Sequence, residues 1–280
     1  MFYLIVATIC FSLSFGLIKD QLSILPAEFV VFCRLFIAFL IFLPFFKKLT
    51  VDIHLKTMCI GIIQFGLMYM LFIKAFGYLQ GNEIAILTTT TPIFVAIWSC
   101  LFGEKFKFIY IFCILASVVG AGIIVWNNID FYAIVKGIFL MECCNCAFAL
   151  GQVLWKKFVG KNDVNLMASA YLGSLLFVAP FMFMGVDVAS ITLSKGQILS
   201  LLYLSVVPTG IGFWLWNKGA QYVRYSTLAI MNNLKIPLGV IFAILIFHEK
   251  INIINFCVGS LIILSAFLIL QKSENSTKKY

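Results

Sequence analysis

Charge and histidine are scarce in this sequence. Lysine, arginine, aspartate and glutamate together account for 11% of the 280 residues, and only two histidines, His54 and His248, are present, whereas 63% of the residues are hydrophobic. A soluble domain of this length could not bury that much apolar surface. The few polar residues show neither a nucleophile beside a base nor a nucleotide-binding loop. The composition therefore predicts an integral membrane protein that is not an enzyme and that carries no cofactor.

The sequence also lacks the signs of a cleaved leader and of a thiol-based framework. The first apolar run begins at Phe2 with no basic segment before it and no clear cleavage site, which predicts a retained helix. Nine cysteines lie mostly inside apolar runs, where a thiol behaves as a small apolar side chain. Cys143, Cys144 and Cys146 do not share one helix face. We therefore expect neither disulfides nor a metal site.

Long apolar runs, bounded by charged or turn residues, divide the chain into ten segments. At about 1.5 Å per residue, a helix of such a length crosses a hydrocarbon core of about 30 Å. The predicted spans are residues 2–18, 27–46, 57–77, 83–103, 108–126, 134–155, 165–185, 197–217, 226–247 and 251–270. The connections between them are short and leave no room for a soluble domain. The predicted fold is therefore all-α, with ten transmembrane helices.

The net charge of +9 follows this topology. With the N-terminus inside, the inside loops and tail hold Lys47, Lys48, Lys56, Lys105, Lys107, Lys156, Lys157, Lys161, Lys218, Arg224, Lys272, Lys278 and Lys279. The outside loops hold only Lys19, Lys136, Lys195 and Lys250. This asymmetry satisfies the positive-inside rule. The basic excess therefore indicates a multi-pass protein of the plasma (inner) membrane with both termini cytoplasmic, and it does not indicate nucleic-acid binding.

The two halves of the sequence resemble each other. "TPIFVAIWSCLFGEK" places Pro92 twelve residues before Glu104, and "IPLGVIFAILIFHEK" places Pro237 twelve residues before Glu249. Flanking residues repeat at nearly the same offset; Cys113, for example, matches Cys257. Because each half holds five spans, the second copy would enter the membrane upside down. Inverted repeats are typical of secondary transporters, whose substrate site lies near the midplane between the halves.

Ten helices in two inverted five-helix repeats, with P-x(11)-E-K closing each fourth helix, resemble the drug/metabolite transporter (DMT) superfamily of the EamA type. "EFVVFCRLFIAFLIFLP", which contains Arg34, is similar to that family's second helix. The resemblance covers essentially the whole chain. It implies a central cavity lined by both repeats, and transport by alternating access. We expect the first repeat at residues 1–128, the second at 129–272 and a cytoplasmic tail at 273–280. The sequence "NNLK", at residues 232–235, departs from the usual family pattern and points to a particular ligand.

Three charged residues fall inside predicted spans, where a charge costs about 2.5–3.5 kcal/mol and usually faces a cavity or a partner. Lys235 and Glu142 lie about ten and nine residues into their spans, so both reach roughly the midplane at about 1.5 Å per residue. They are predicted to form an ion pair or to share an aqueous site; a purely structural pair is the alternative. Arg34 lies about 12 Å below the outer surface. It is predicted to contact either an anionic ligand group or the backbone.

Polar residues recur at helical spacing on three spans. They are Glu142, Asn145 and Gln152 on the sixth span, Trp214 and Asn217 on the eighth, and Asn232 and Lys235 on the ninth. Such stripes have little reason to face lipid, so we expect them to line one cavity, and interhelical hydrogen bonding is the alternative. Trp214 would stack on a planar substrate. Pro92 and Pro237 would kink symmetry-related helices and are predicted hinges.

These features predict a secondary transporter for a small metabolite, either an amino acid or another carboxylate. Lys235 would hold the ligand carboxylate, Glu142 would hold an amino group, and protonation of Glu142 would couple transport to a proton gradient. One alternative is a multidrug exporter in which Glu142 binds lipophilic cations; a membrane-embedded enzyme or receptor is the other. Besides the substrate, membrane lipid is the expected partner. Ala116 and Gly120 permit close packing of helices but do not establish a dimer, so the oligomeric state stays open.

Overall fold

The computed structural model describes residues 1–47, 49–79, 81–105, 107–125, 135–160, 163–247 and 252–277, and within these ranges the chain is helical and has no strand. The α-helices of these ranges are α1 (Phe2–Ser12), α2 (Ser14–Leu17), α3 (Ala27–Phe42), α4 (Val51–Gly61), α5 (Met68–Ala75), α6 (Gly81–Thr88), α7 (Thr91–Leu101), α8 (Phe108–Val125), α9 (Val135–Phe158), α10 (Asp163–Gly185), α11 (Lys195–Leu204), α12 (Phe213–Ala220), α13 (Tyr225–Phe247) and α14 (Ile253–Thr277). Seven residues that the sequence analysis used lie outside the described residues: Lys48, Lys161, His248, Glu249, Lys250, Lys278 and Lys279.

Six helical segments of the described chain are long and apolar enough to cross a membrane. They are Ala27–Phe45, Val51–Ala75, Val135–Phe158, Val164–Gly185, Lys195–Ala220 and Ile253–Ser273. Shorter apolar helices cover Phe2–Ser12, Thr91–Leu101 and Phe108–Ile124. These segments support a multi-pass membrane protein and coincide with most of the predicted spans.

The fourth predicted span is divided into two helices. α6 ends at Thr88 and α7 begins at Thr91, with Pro92 in its first turn. Proline has no N–H to continue a helix. The hydroxyls of Thr88, Thr90 and Thr91 instead donate to the carbonyls of Ala85, Leu87 and Thr88, at 2.8, 2.9 and 2.8 Å. The threonines therefore satisfy the backbone where the helix breaks, as their position before the proline predicts.

The two predicted hinge prolines differ in their local structure. Pro92 begins a helix, whereas Pro237 lies inside α13, which continues on both sides of it. The carbonyl of Lys235 accepts a 3.3 Å hydrogen bond from the Ser12 hydroxyl at the end of α1. The carbonyl that loses its helical N–H partner to Pro237 is that of Asn233, four residues earlier, so the Ser12 bond links α1 to α13 beside the proline without replacing the missing ladder bond.

Two π-helical segments occupy matching places in the two halves. One, Ile62–Leu67, joins α4 to α5, and the other, Ser205–Gly212, joins α11 to α12. The packing repeats as well: α1 contacts α12 and α13, and α9 contacts α5 and α7. α10 packs on the first π segment, and α3 packs on the second. Since π turns shift the faces that a helix presents, both segments change which residues of α5 and α12 point inward.

The helices α8 and α14 cross with their backbones in contact. A Cβ added at Gly120 would lie 2.8 Å from the carbonyl oxygen of Gly259, and one added at Gly259 would overlap the carbonyl oxygen of Gly120. Small residues at such crossings allow the close van der Waals packing that holds helices together in lipid. The crossing joins one helix from each half of the chain.

We expect Gly259→Ala to destabilise the protein, because the added methyl group cannot fit without separating α8 from α14 and overpacking costs about 1–3 kcal/mol. Gly122→Ala is the control, because a Cβ there meets nothing within 4 Å and alanine favours a helix by about 1 kcal/mol over glycine. Thermal unfolding in detergent should show a lower midpoint for Gly259→Ala only. Equal midpoints for the two variants would contradict the close crossing.

Candidate functional site

A cavity lies among the helices, and both halves of the chain line it. Its empty space is ≈ 690 Å³, counting the part open to solvent. The side chains on its wall are those of Thr8, Phe11, Ser14, Ile18, Arg34, Met68, Tyr69, Phe72, Thr88, Cys144, Asn145, Phe148, Pro208, Phe213, Trp216, Met231, Asn232 and Lys235. The wall is mostly apolar and aromatic, with a few polar groups, which is the usual composition of a ligand site.

The guanidinium of Arg34 is buried in this wall, with 1% of the residue exposed. Its Nε donates to the Thr209 hydroxyl at 3.1 Å and its Nη2 donates to the Tyr69 hydroxyl at 2.8 Å. Its Nη1 has no hydrogen-bond partner among the described residues, and no described carboxylate lies within 4.0 Å of it. A buried charge without a counter-charge is costly, so the site is set up to receive an anion.

Tyr69 and Thr209 hold the guanidinium in place. Their hydroxyls are 2.9 Å apart, and the Arg34 guanidinium carbon lies 4.2 Å from the Tyr69 ring centroid. The Tyr171 hydroxyl donates to the carbonyl of Thr209. Thr209 belongs to the π segment Ser205–Gly212, and Tyr69 follows the π segment Ile62–Leu67. The two irregular segments therefore bring one group from each half to the same arginine.

Lys235 and Glu142, predicted as an ion pair or a shared site, make no ion pair in the described structure. Lys235 is on the cavity wall, with its Nζ 5.7 Å from the Phe148 ring centroid and no hydrogen-bond partner among the described residues. The Glu142 carboxylate instead accepts from the Thr90 hydroxyl, at 3.2 and 2.9 Å for its two oxygens. Glu142 is not among the lining residues, because its side chain turns toward the break between α6 and α7.

Asn145 connects the cavity wall to the break between α6 and α7 by hydrogen bonds. Its Nδ2 donates to the carbonyl of Leu87 at 2.7 Å and to the Thr90 hydroxyl at 3.0 Å, and its Oδ1 accepts from Thr91 at 3.2 Å. Leu87, Thr90 and Thr91 lie where α6 ends and α7 begins. Asn145 therefore lines the cavity as predicted and at the same time fixes the start of α7 to α9.

Gln152 and Asn232 meet between α9 and α13. The Gln152 Oε1 accepts from the Trp216 indole N–H at 3.1 Å and from the Asn232 Nδ2 at 3.3 Å. The Asn232 Nδ2 also donates to the carbonyl of Leu228 at 2.9 Å. Asn232 and Trp216 lie on the cavity wall, and Gln152 is fully buried directly behind them. The predicted polar stripes of α9 and α13 therefore face each other.

Two other predicted residues lie away from the cavity wall. Asn217 forms a reciprocal amide pair with Gln64, with N···O distances of 2.8 and 3.4 Å, and the Trp214 ring is covered by the Lys218 ammonium at 4.9 Å. Trp216 takes the place at the cavity that was expected for Trp214. Trp214 and Asn217 are three residues apart and share one face of α12, but that face lies off the cavity wall and Trp216 lies on it.

Aromatic rings form the apolar part of the wall. Phe213 lies 5.0 Å from Phe11 and 5.8 Å from Phe148, and Trp216 lies 5.8 Å from Phe11 and 6.3 Å from Phe148, measured between ring centroids. Tyr69, Thr209 and these rings were not among the predicted site residues. The sequence signal that could have indicated Thr209 is its place beside Pro208 inside an apolar run, where a helix is interrupted.

The comparisons with known proteins agree with this arrangement. Residues 1–126 and 135–271 both match the family described as "EamA-like transporter family". A "Biotin transporter" of Salmonella typhimurium is 32% identical, over 97% of this chain and 93% of that protein. A "Probable biotin transporter" of Pseudomonas aeruginosa is 30% identical, over 95% of this chain and 96% of that protein. A solved crystal structure has a TM-score of 0.78 at 14% identity, covering 96% of this chain and 95% of its own, which shows a shared fold.

We expect Asn217→Leu to destabilise the protein, because it leaves the buried Gln64 amide without its partner at a cost of about 1–3 kcal/mol. The double variant Gln64→Leu/Asn217→Leu should lose less than the sum of the two single variants, since it removes both polar groups. Thermal unfolding of the four proteins in detergent measures this coupling. Strictly additive losses would show that the two amides do not form a pair.

Proposed function

The chain belongs to the EamA-like transporter family, and we propose that it carries a small carboxylated metabolite across the membrane, with biotin as the first candidate. Membership makes it a transporter and not an enzyme. The similar proteins named as biotin transporters supply the candidate. The choice of a carboxylate rests on one observation in this chain, which is the buried Arg34 without a counter-charge.

Arg34 offers the free Nη1 edge of its guanidinium to the cavity. A carboxylate accepts charge-assisted hydrogen bonds from a guanidinium, and these are roughly twice as strong as bonds between neutral groups. Lys235 adds a second cation on the same wall. Both cations lack an anionic partner among the described residues, so an anionic ligand lowers the cost of keeping them in the membrane.

A carboxylate without an amino group fits this cavity better than an amino acid or a lipophilic cation does. Either of those ligands carries a cationic group that pairs best with an acidic side chain, and the predicted partner was Glu142. Its carboxylate accepts from Thr90 instead, beside the helix break. Biotin carries one carboxylate, an aliphatic chain and a neutral ring system. The rings of Phe11, Phe148, Phe213 and Trp216 suit its apolar part.

The transport cycle is proposed to be alternating access by ten helices in two inverted repeats. The two family matches, the paired π segments and the repeated packing pattern support two related halves. We propose that the helix break at Pro92 and the interrupted ladder at Pro237 are the hinges. The excess of lysine on one set of loops supports cytoplasmic termini in the plasma (inner) membrane.

We expect purified protein to bind tritiated biotin, and we expect Arg34→Met to weaken that binding about 10- to 100-fold, because a hydrogen-bonded charge contributes about 1.5–3 kcal/mol. Arg224→Met is a matched control. Arg224 is bonded to Tyr110 at 3.3 Å and is not on the cavity wall. Biotin methyl ester should compete poorly with the wild type. Equal competition by the ester and the acid would contradict the proposed role of Arg34.

The second expectation concerns coupling to a proton gradient. Glu142 bonds to Thr90 at the break between α6 and α7, so we propose that its protonation releases this hinge during transport. In proteoliposomes, Glu142→Gln should keep biotin binding but lose the dependence of flux on an imposed pH gradient, because an amide cannot take up the proton. Full retention of that dependence would exclude Glu142 as the coupling group.

A further inference from the structure

Two pairs of buried side-chain amides in this structure differ in how many of their polar atoms are hydrogen-bonded. Gln64 and Asn217 bond to each other in both directions, away from the cavity. Gln152 and Asn232 share a single bond of 3.3 Å, and the Gln152 Nε2 and the Asn232 Oδ1 have no partner among the described residues. Gln152 and Asn232 are 0% and 1% exposed. Buried polar groups are almost always hydrogen-bonded, so these two atoms need a partner that the described part of the chain does not provide.

The neighbours of this pair determine which of the free atoms donates. The Trp216 indole nitrogen can only donate, so the Gln152 atom that accepts from it is the oxygen, and its free atom is the NH₂ donor. The Leu228 carbonyl can only accept, so the Asn232 atom bonded to it is the nitrogen, and its free atom is the oxygen acceptor. The pair therefore has one free donor, on Gln152 directly behind the cavity wall, and one free acceptor, on Asn232 in the wall itself.

We propose that the Gln152 Nε2 and the Asn232 Oδ1 recognise a urea or cyclic amide group on the substrate. Such a group carries an N–H and a C=O on the same edge, so its N–H would donate to Asn232 and its C=O would accept from Gln152. A carboxylate or an ether offers acceptors only and leaves Asn232 unsatisfied. This inference rests on the proposed function, in which Arg34 holds the carboxylate at another part of the same wall.

The assignment makes the cavity selective at two points. A ligand with a carboxylate and a urea satisfies the free Nη1 of Arg34 and both free amide atoms. A ligand that keeps only the carboxylate still pairs with Arg34 but leaves two buried polar groups unpaired. Sites built to hydrogen-bond a ligand group reject analogues that lack it, because the groups of the site are then left without partners. Gln152 and Asn232 are therefore specificity-determining residues, and Trp216 is a positioning residue that fixes the Gln152 amide.

The test uses competition against tritiated biotin by desthiobiotin and by lipoate, with purified wild-type protein in detergent. All three carry a carboxylate on a short unbranched aliphatic chain; desthiobiotin keeps the urea ring, and lipoate has none. We expect desthiobiotin to compete within a few-fold of biotin and lipoate to be at least about tenfold weaker, since a lost hydrogen bond contributes about that much. Gln152→Met and Asn232→Leu should each reduce the preference for biotin over lipoate.

Asn217→Leu is the matched control, because it removes a buried amide outside the cavity and should leave the preference unchanged. Loss of preference in this control, or no loss in the Gln152 and Asn232 variants, would overturn the assignment. Because the comparison of ligands uses the wild type alone, it stands even if a variant fails to fold. Lipoate that competes as well as biotin overturns the urea site and leaves the carboxylate transporter standing. No binding of any of these carboxylates overturns the proposed function together with this inference.

Discussion

The structure depends on a buried arginine that has no acidic partner among the described residues. Arg34 lies in the cavity wall with its Nε and Nη2 held by Thr209 and Tyr69, and with its Nη1 free. A guanidinium in this position must be surrounded by hydroxyls that orient it without neutralising it. The positive charge that remains is what makes the cavity suited to an anion, and aromatic rings line the same space.

Irregular helices make this arrangement possible. The π segments Ile62–Leu67 and Ser205–Gly212 precede the helices that carry Tyr69 and Trp216, and the second contains Thr209 itself. At the division between α6 and α7, Asn145 donates to the Leu87 carbonyl and to the Thr90 hydroxyl, and that hydroxyl donates to Glu142. In a membrane, such departures from a regular helix are tolerated where neighbouring side chains satisfy the backbone. Here they occur around the cavity in both halves of the chain.

The predicted site was partly recovered. Arg34, Asn145, Asn232 and Lys235 lie on the cavity wall, and Gln152 lies directly behind it. The expected contact between Glu142 and Lys235 is absent from the described structure, because equal depth on two helices says nothing of the direction in which each side chain points. Trp214 and Asn217 lie off the wall, because helical spacing shows which residues share a face of α12 and not which face is turned toward the cavity.

Composition and the length of the apolar runs were sufficient to predict a multi-pass membrane protein, and the repeated proline and Glu-Lys pattern was sufficient to indicate its family. Both properties are local: each span must match the thickness of the membrane, and each copy of a motif can be read by itself. The identity of the cavity residues was decided only by tertiary structure. It depends on helix breaks and π segments that set side-chain direction, and on which helices meet across the two halves. Whether a buried polar group finds a hydrogen-bond partner likewise depends on two residues that are distant in the sequence. Only the folded chain distinguishes the closed Gln64–Asn217 pair from the open Gln152–Asn232 pair.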